Sequence, residues 1–289
     1  MLLTPDNLSA EVARLAKRLP PFPRVVMQLL EMLRANNLSL DVLTRMARND
    51  PVISSGILAT ANRLRRINAQ SDIHDPFIAA SLIGVNQLRR IVVAAAMNKF
   101  AAEEKGAEFL YDHSHAVAIV AHELAMLCDV SPEKAYVAAI LHDVGQLCFH
   151  VMDPVTFQNL YLQSAADGRL IEREIATFGV DHARIGGELA EHWELPEDFV
   201  SAIRTHHDTT VITSKLQAVI NLAESLARAL DIPPSPKNRL TQLNAPAVET
   251  LGITWGSAEM LDCFGRCRAR FRCTPAAPSI AGPPVSTKR

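Results

Sequence analysis

The chain has 289 residues, about two domains' worth at ~150 residues each. At 48% apolar and 21% charged, with 12 Gly and 17 Pro, its composition is globular and excludes a fibrous or low-complexity protein. There are 29 basic and 31 acidic residues, a net charge of −2, so no overall basic excess marks nucleic acid as the main ligand. The average hides a split, because the segment from Lys237 onward holds 8 basic and 3 acidic residues. No uninterrupted apolar run approaches the ~18 residues of a membrane span. The opening MLLTPDNLSAEVARLAKRLP is too polar for a secretory signal, and the reading is a cytoplasmic protein with no membrane partner.

Along the chain, Leu19-Pro20-Pro21-Phe22-Pro23 is a rigid lead-in to Val25, Val26, Leu29, Leu30 and Leu33, which recur at helical spacing. Ser39 caps a helix carrying Leu40, Leu43 and Met46. Asp50-Pro51 and Asp75-Pro76 each put a carboxylate at the N-cap and proline at the first helical position, where its missing N–H costs nothing. Gly84 punctuates before Leu88, Ile91, Val92 and Ala95. Residues 20–100 read as about five short helices.

A second helical block covers roughly 108–232. One helix runs from about Leu110 to Leu127, and Ser131-Pro132-Glu133 opens another that ends near Gly145. A looser stretch over 150–170 leads to Ile171–Phe178, and Asp181 caps a helix to about Trp193. Glu197–His206 and Ser214–Ala229 complete the block. No β-alternation of useful length occurs, so the expected fold class is all-α, with Ala-rich helices packed closely. Ile232-Pro233-Pro234-Ser235-Pro236 reads as a linker, 237–272 adds one or two helices, and 274–289 is expected to be disordered.

Five cysteines are too odd and sparse a set for a disulfide framework. Cys128 and Cys148 read as small core residues. Cys263, Cys267 and Cys273 lie among Arg266, Arg268, Arg270 and Arg272 and lack paired C-x-x-C knuckles, so they read as unligated thiols on an irregular tail. The arginines there, with Arg239, read as a solvated surface rather than a nucleic-acid site, and Arg63, Arg65, Arg66, Arg89 and Arg90 are basic spots of the first block.

Nine of the ten histidines fall within 113–207, where even scatter would place about three. His74, His122, His150 and His192 have no partner motif. His142-Asp143 closes the apolar run Ala138-Ala139-Ile140-Leu141, and adjacent residues ~100° apart on a helix reach one ion only near its end. The carboxylate could instead bridge two ions. His206-His207 is a second adjacent pair at a helix end, and His113 and His182 sit near helix starts. Imidazole with carboxylate suits Zn, Fe, Mn or Ni, and such a centre acidifies a bound water for attack on phosphorus.

These pieces together resemble the HDOD family, a signalling relative of the HD phosphohydrolase superfamily. The likeness covers about 15–230. It rests on Leu19-Pro20-Pro21-Phe22-Pro23; Asn49-Asp50-Pro51 with Leu58-Ala59-Thr60-Ala61-Asn62; Ser81-Leu82-Ile83-Gly84 with Leu88-Arg89-Arg90; His113-Ser114 with Ala116-Val117-Ala118; Leu141-His142-Asp143-Val144-Gly145; Val180-Asp181-His182; and Leu195-Pro196 with His206-His207. The resemblance implies a multi-helix bundle in two lobes: an N-terminal family-specific lobe over 1–106 and an HD-like lobe over 107–232. A C-terminal extension or linker over 233–273 and a tail over 274–289 follow.

By comparison with HD-GYP cyclic-di-GMP phosphodiesterases, His113, His142, Asp143, His182, His206 and His207 fall at ligand-like positions for one or two divalent ions. The last ligand is Glu224, or Asn221 if the register slips. Gln146 stands where those enzymes carry a lysine, and Asp208-Thr209-Thr210 replaces any Gly-Tyr-Pro loop. The resemblance therefore implies a non-catalytic regulatory module acting through a signalling partner of receiver, kinase or diguanylate-cyclase type. The alternative is a metal-dependent phosphohydrolase acting on a nucleotide or cyclic dinucleotide, with Asp143 as its catalytic carboxylate.

Overall fold

A computed structural model describes residues 2–35, 51–103, 108–232 and 243–273, and among them every regular element is a helix. The elements are α1 (Leu8–Ala16), α2 (Arg24–Ala35), α3 (Pro51–Ile67), α4 (Pro76–Glu103), α5 (Glu108–Ala125), α6 (Pro132–Leu141) and α7 (Gly145–Met152). After them come α8 (Pro154–Asp167), α9 (Leu170–Phe178), α10 (His182–His192), α11 (Glu197–Thr205), α12 (Lys215–Ala229), α13 (Ala245–Leu251) and α14 (Ala258–Cys273). The helix expected after Ser39, the Asn49-Asp50 cap, Arg239 and the tail over 274–289 lie outside the described residues.

The capping signals act as the sequence predicts. The Asp75 carboxylate accepts from Phe77 N at 2.7 Å, Ser131 Oγ from Lys134 N at 3.3 Å, Asp181 from Arg184 N at 2.7 Å and Ser214 from Gln217 N at 3.1 Å. Gly84, at φ 78°, breaks the long α4 where the sequence is punctuated.

Two expectations need correction. The stretch over 150–170 is not loose, because α8 fills most of it. Asp153 caps α8 by accepting from Thr156 N at 3.0 Å, and Gly168 ends it in the left-handed region. The cysteines placed on an irregular tail lie instead on α14, with Cys263 and Cys267 buried beside Met260. In that helix they pack as small apolar side chains.

The core follows from Ala-rich helices that approach closely. Residues 135–141 of α6 are all buried, and α5 is buried from Ser114 to Ala125, so these two form the centre against which α12 packs. Helices α3 and α4 pair with each other, and α4 also packs on α5 and α6. Helix α1 stands apart from that pair and docks on α7 and α10, held by Leu3 N donating to the Phe178 carbonyl at 2.7 Å and Ser9 Oγ to Glu188 at 2.7 Å. An aromatic trio also ties the first block to the second. Phe22 stacks on Trp193 at 4.3 Å, and Phe100 meets the same indole edge-on at 5.8 Å.

Two stretches, Pro76–Glu103 and Pro132–Met152, match a membrane span in length and apolarity. The second is 94% buried inside the bundle, so its apolarity serves the core, and the first is broken at Gly84 and carries Arg89 and Arg90.

One close approach positions the chemistry. A Cβ on Gly145 would lie 2.0 Å from the His182 carbonyl oxygen and 2.7 Å from Gly186 N. Only glycine lets the start of α7 touch the start of α10, and that contact brings His142-Asp143 against His182.

Candidate metal centre

Four helices and one turn deliver side chains to one point. His113 comes from α5, His142 and Asp143 from the α6–α7 turn, His182 from the first position of α10, His206-His207 from the end of α11, and Glu224 from α12. The Asp143 carboxylate is the hub. Its Oδ1 lies 3.1 Å from His182 Nε2, 3.4 Å from His142 Nε2 and 3.6 Å from His206 Nε2, and its Oδ2 lies 3.6 Å from His113 Nε2. His207 closes the ring, with Nε2 at 2.8 Å from His182 Nε2 and Nδ1 at 3.5 Å from Glu224 Oε2. All seven residues singled out from the sequence therefore meet.

Asn221 stands apart from the donor set. Its amide donates to the His206 carbonyl at 2.8 Å, and its Oδ1 accepts from Asn244 Nδ2 at 2.8 Å. It buttresses the turn that carries the histidine pair, while Glu224 is the residue that shares a pocket of donor atoms with His142 and His206.

The far sides of the rings fix which nitrogen faces inward. His142 Nδ1 donates to the Ala139 carbonyl at 2.6 Å and His206 Nδ1 to the Ile203 carbonyl at 2.7 Å. A carbonyl only accepts, so both rings carry their proton on Nδ1 and turn an Nε2 lone pair toward Asp143. Both Nε2 atoms are buried with no hydrogen-bond partner among the described residues. Lone pairs aimed at a carboxylate in a dry interior are costly unless a cation lies between them. Two donors each ~2.1 Å from a shared ion sit about 3.0–3.4 Å apart, close to the 3.1–3.6 Å spacing here. The residues present fit a metal ion.

Burial and charge tune the set in different directions. Burial pushes the His142 imidazole down to about 4 and lowers His113, while burial and the neighbouring His206 hold His207 well below its ordinary range. Burial also opposes a charged His182, but the carboxylates of Glu174 and Asp143 hold it well above the usual value. Burial works against the Asp143 anion too, yet His142 and His182 keep its carboxyl well below the ordinary range.

Glu174 is the functional residue the sequence reading missed. It is fully buried on α9, and one oxygen accepts from both the backbone N and the Nδ1 of His182, at 2.9 and 2.6 Å. A carboxylate behind a histidine fixes its tautomer and orientation. The available signal was a glutamate on the buried side of an amphipathic helix, one turn before Phe178. Of the remaining histidines, His115 pairs with the Tyr111 hydroxyl at 2.8 Å and His122 with Glu123, so both lie outside the centre.

The HDOD domain family matches residues 19–209. The chain belongs to the HDOD family. A curated relative, an uncharacterized protein from Treponema pallidum (strain Nichols), is 25% identical over 222 residues and covers 72% of this chain. Those residues make up 43% of the relative, so the chain spans less than half of that protein's length. An HDOD domain protein of unknown function from Geobacter sulfurreducens superposes with a TM-score of 0.73 at 21% identity, covering 95% of this chain and 98% of its own. A protein of Shewanella amazonensis SB2B, named as a candidate phosphohydrolase, superposes at 0.65 and 23% identity, covering 92% and 96%. At these identities the structural likeness carries the fold, which is the HD-like helical architecture of this HDOD chain.

Proposed function

We propose that this HDOD chain is a regulatory module with a structural or sensing divalent-metal centre, and that it signals through protein contacts rather than turnover. His113, His142, Asp143, His182, His206, His207 and Glu224 would hold one or two ions, with Fe, Mn, Zn or Ni suited to imidazole and carboxylate. When bound, the ion supplies Lewis acidity and acidifies water. The chain's own residues orient the rings, exclude solvent and balance charge. The partner expected is a receiver, kinase or diguanylate-cyclase type protein.

One observation carries the non-catalytic part of this reading, the side chain that follows the His142-Asp143 turn. Gln146 adds no fixed charge there; it is buried, with its Oε1 lacking a hydrogen-bond partner among the described residues.

Metal analysis of the purified protein tests the centre. About one or two equivalents are expected, falling below roughly a tenth in His142→Ala. Wild-type protein that takes up no metal would sink the reading. A second reading, a phosphohydrolase of nucleotides or cyclic dinucleotides, is favoured by Arg228. Its guanidinium donates to Glu224 at 2.6 Å from a half-exposed position, supplying positive charge at the rim. Incubating metal-loaded protein with cyclic-di-GMP, bis-p-nitrophenyl phosphate and guanosine nucleotides separates the two. Product that disappears in Asp143→Asn would establish turnover.

A further inference from the structure

The C-terminal helix α14 is docked through one side only. Met260, Cys263 and Cys267 are buried against the core, and Arg266 and Arg270 reach in to Glu123 on α5. At about 100° per residue, Asp262, Gly265, Ala269 and Arg272 follow one another along the opposite side, and all four are exposed. Leu261 stands beside this row at 59% exposure. Trp255, 48% exposed, leads into the helix with its ring 5.8 Å from that of Phe264. Exposed tryptophan and arginine on one face are the residue types that dominate contact energies.

The charges of this face are unanswered within the chain. Asp262 would ordinarily pair with Arg266 one turn on, but that guanidinium is turned inward to Glu123. Neither Asp262 nor Arg272 makes a hydrogen bond or ion pair with any described residue. Ten residues of helix, about 15 Å, keep the two apart. An acid therefore sits at one end of the row and a base at the other, with two small residues between them. No atom lies within 4 Å of where a Cβ on Gly265 would be, so another helix can come close to the backbone there.

We propose that this face pairs with the same face of a second copy of the chain, α14 against α14, antiparallel about a two-fold axis between Gly265 and Ala269. A row that reads acid, small, small, base is its own complement when reversed. Asp262 of each copy then meets Arg272 of the other, and the two-fold axis makes that pair twice. A parallel pairing would instead set Asp262 beside Asp262 and Arg272 beside Arg272, which like charge disfavours. The chain's own continuation does not supply this complement, because residues 274–289 hold Lys288 and Arg289 and no acidic side chain. One helix face is a small area, so the association is transient, with a dissociation constant on the order of 10–100 μM. The pairing involves none of the histidine donors, so it stands or falls apart from metal uptake.

Sedimentation velocity of the full purified chain tests the pairing. Between about 5 and 300 μM at low salt, the monomer should give way to a dimer. Arg272→Asp and Asp262→Arg each set like charges at both pairs, and each should weaken dimerisation about tenfold or more. The doubly swapped chain, Asp262→Arg with Arg272→Asp, restores opposite charges and should return to within about threefold of wild type, as should an equimolar mixture of the two single variants. Both positions are exposed, so melting temperatures within about 2 °C of wild type check that α14 stays docked. Three outcomes overturn the proposal: a wild type that stays monomeric throughout, single variants that pair as tightly as wild type, or no recovery in either the double swap or the mixture.

Discussion

Glu174 has no direct line to the ion site, yet the reach of His182 depends on it. The carboxylate takes both the backbone N–H and the ring Nδ1–H of His182, fixing the start of α10 and the direction of its Nε2 with one oxygen. Removing it frees the ring to rotate or to carry its proton on the inward nitrogen. Glu174→Ala should therefore weaken zinc or manganese binding by about 10–100-fold. Glu174→Gln keeps an acceptor but loses the charge, and should weaken binding less. Competition titration against a chelating dye measures both, and affinities equal to wild type would show that His182 needs no such support.

The histidine pairs were legible because His142-Asp143 and His206-His207 are adjacent in sequence and sit at helix ends. Glu174 was not, since it acts from another helix, and only its place on a buried face distinguishes it from a solvent-facing glutamate. Glu224 and Asn221 could not be separated by counting along α12. The structure distinguishes them by environment, one carboxylate beside His207 and one amide bonded to backbone carbonyls and Asn244.

Among the helices, the contact between α7 and α10 sets the geometry of the centre. A methyl group at Gly145 would meet backbone atoms of His182 and Gly186, which cannot rotate away. Gly145→Ala should cost about 3 kcal/mol in urea unfolding and also reduce metal uptake, because relief requires pulling His182 from Asp143. The docking of α14 on α5 is electrostatic at its heart and responds to acid. Burial alone would raise the Glu123 carboxyl, but the bonds from His122 and Arg266 and the charge of Arg270 bring it down to about 2, against 4.5 when unperturbed. A depressed carboxyl stabilises the fold above its unfolded value and loses that contribution as the pH drops from about 4.5 towards 2. At full extent this is about 3 kcal/mol. Glu123→Gln should lose about that much at pH 7, and its stability should change less than wild type's between pH 5 and 3, as read by denaturant melts. Helix starts such as Ser131-Pro132 and Asp181 were plain in the sequence, since a capping side chain and its N–H partner are local. The α14 stripe of Met260, Cys263 and Cys267 was hidden by its arginines, two of which turn inward to Glu123.

For the molecule as a whole, the donors come from α5, the α6–α7 turn, α10, the end of α11 and α12, so an ion there ties segments spread over more than a hundred residues. Such a cross-link stabilises only the folded state, because the unfolded chain does not hold these donors together. At free metal 100 times its dissociation constant the gain is about 2.7 kcal/mol. For a chain of 289 residues that corresponds to a rise of about 4–5 °C in melting temperature. Scanning calorimetry on chelator-stripped protein, before and after adding back zinc or manganese, should show that rise. His206→Ala should melt at nearly one temperature under both conditions, since its loss removes an inward lone pair from the centre. A metal-induced shift of equal size in that variant would place the binding elsewhere on the chain, and no shift in either protein would mean that the buried lone pairs around Asp143 are satisfied without an ion.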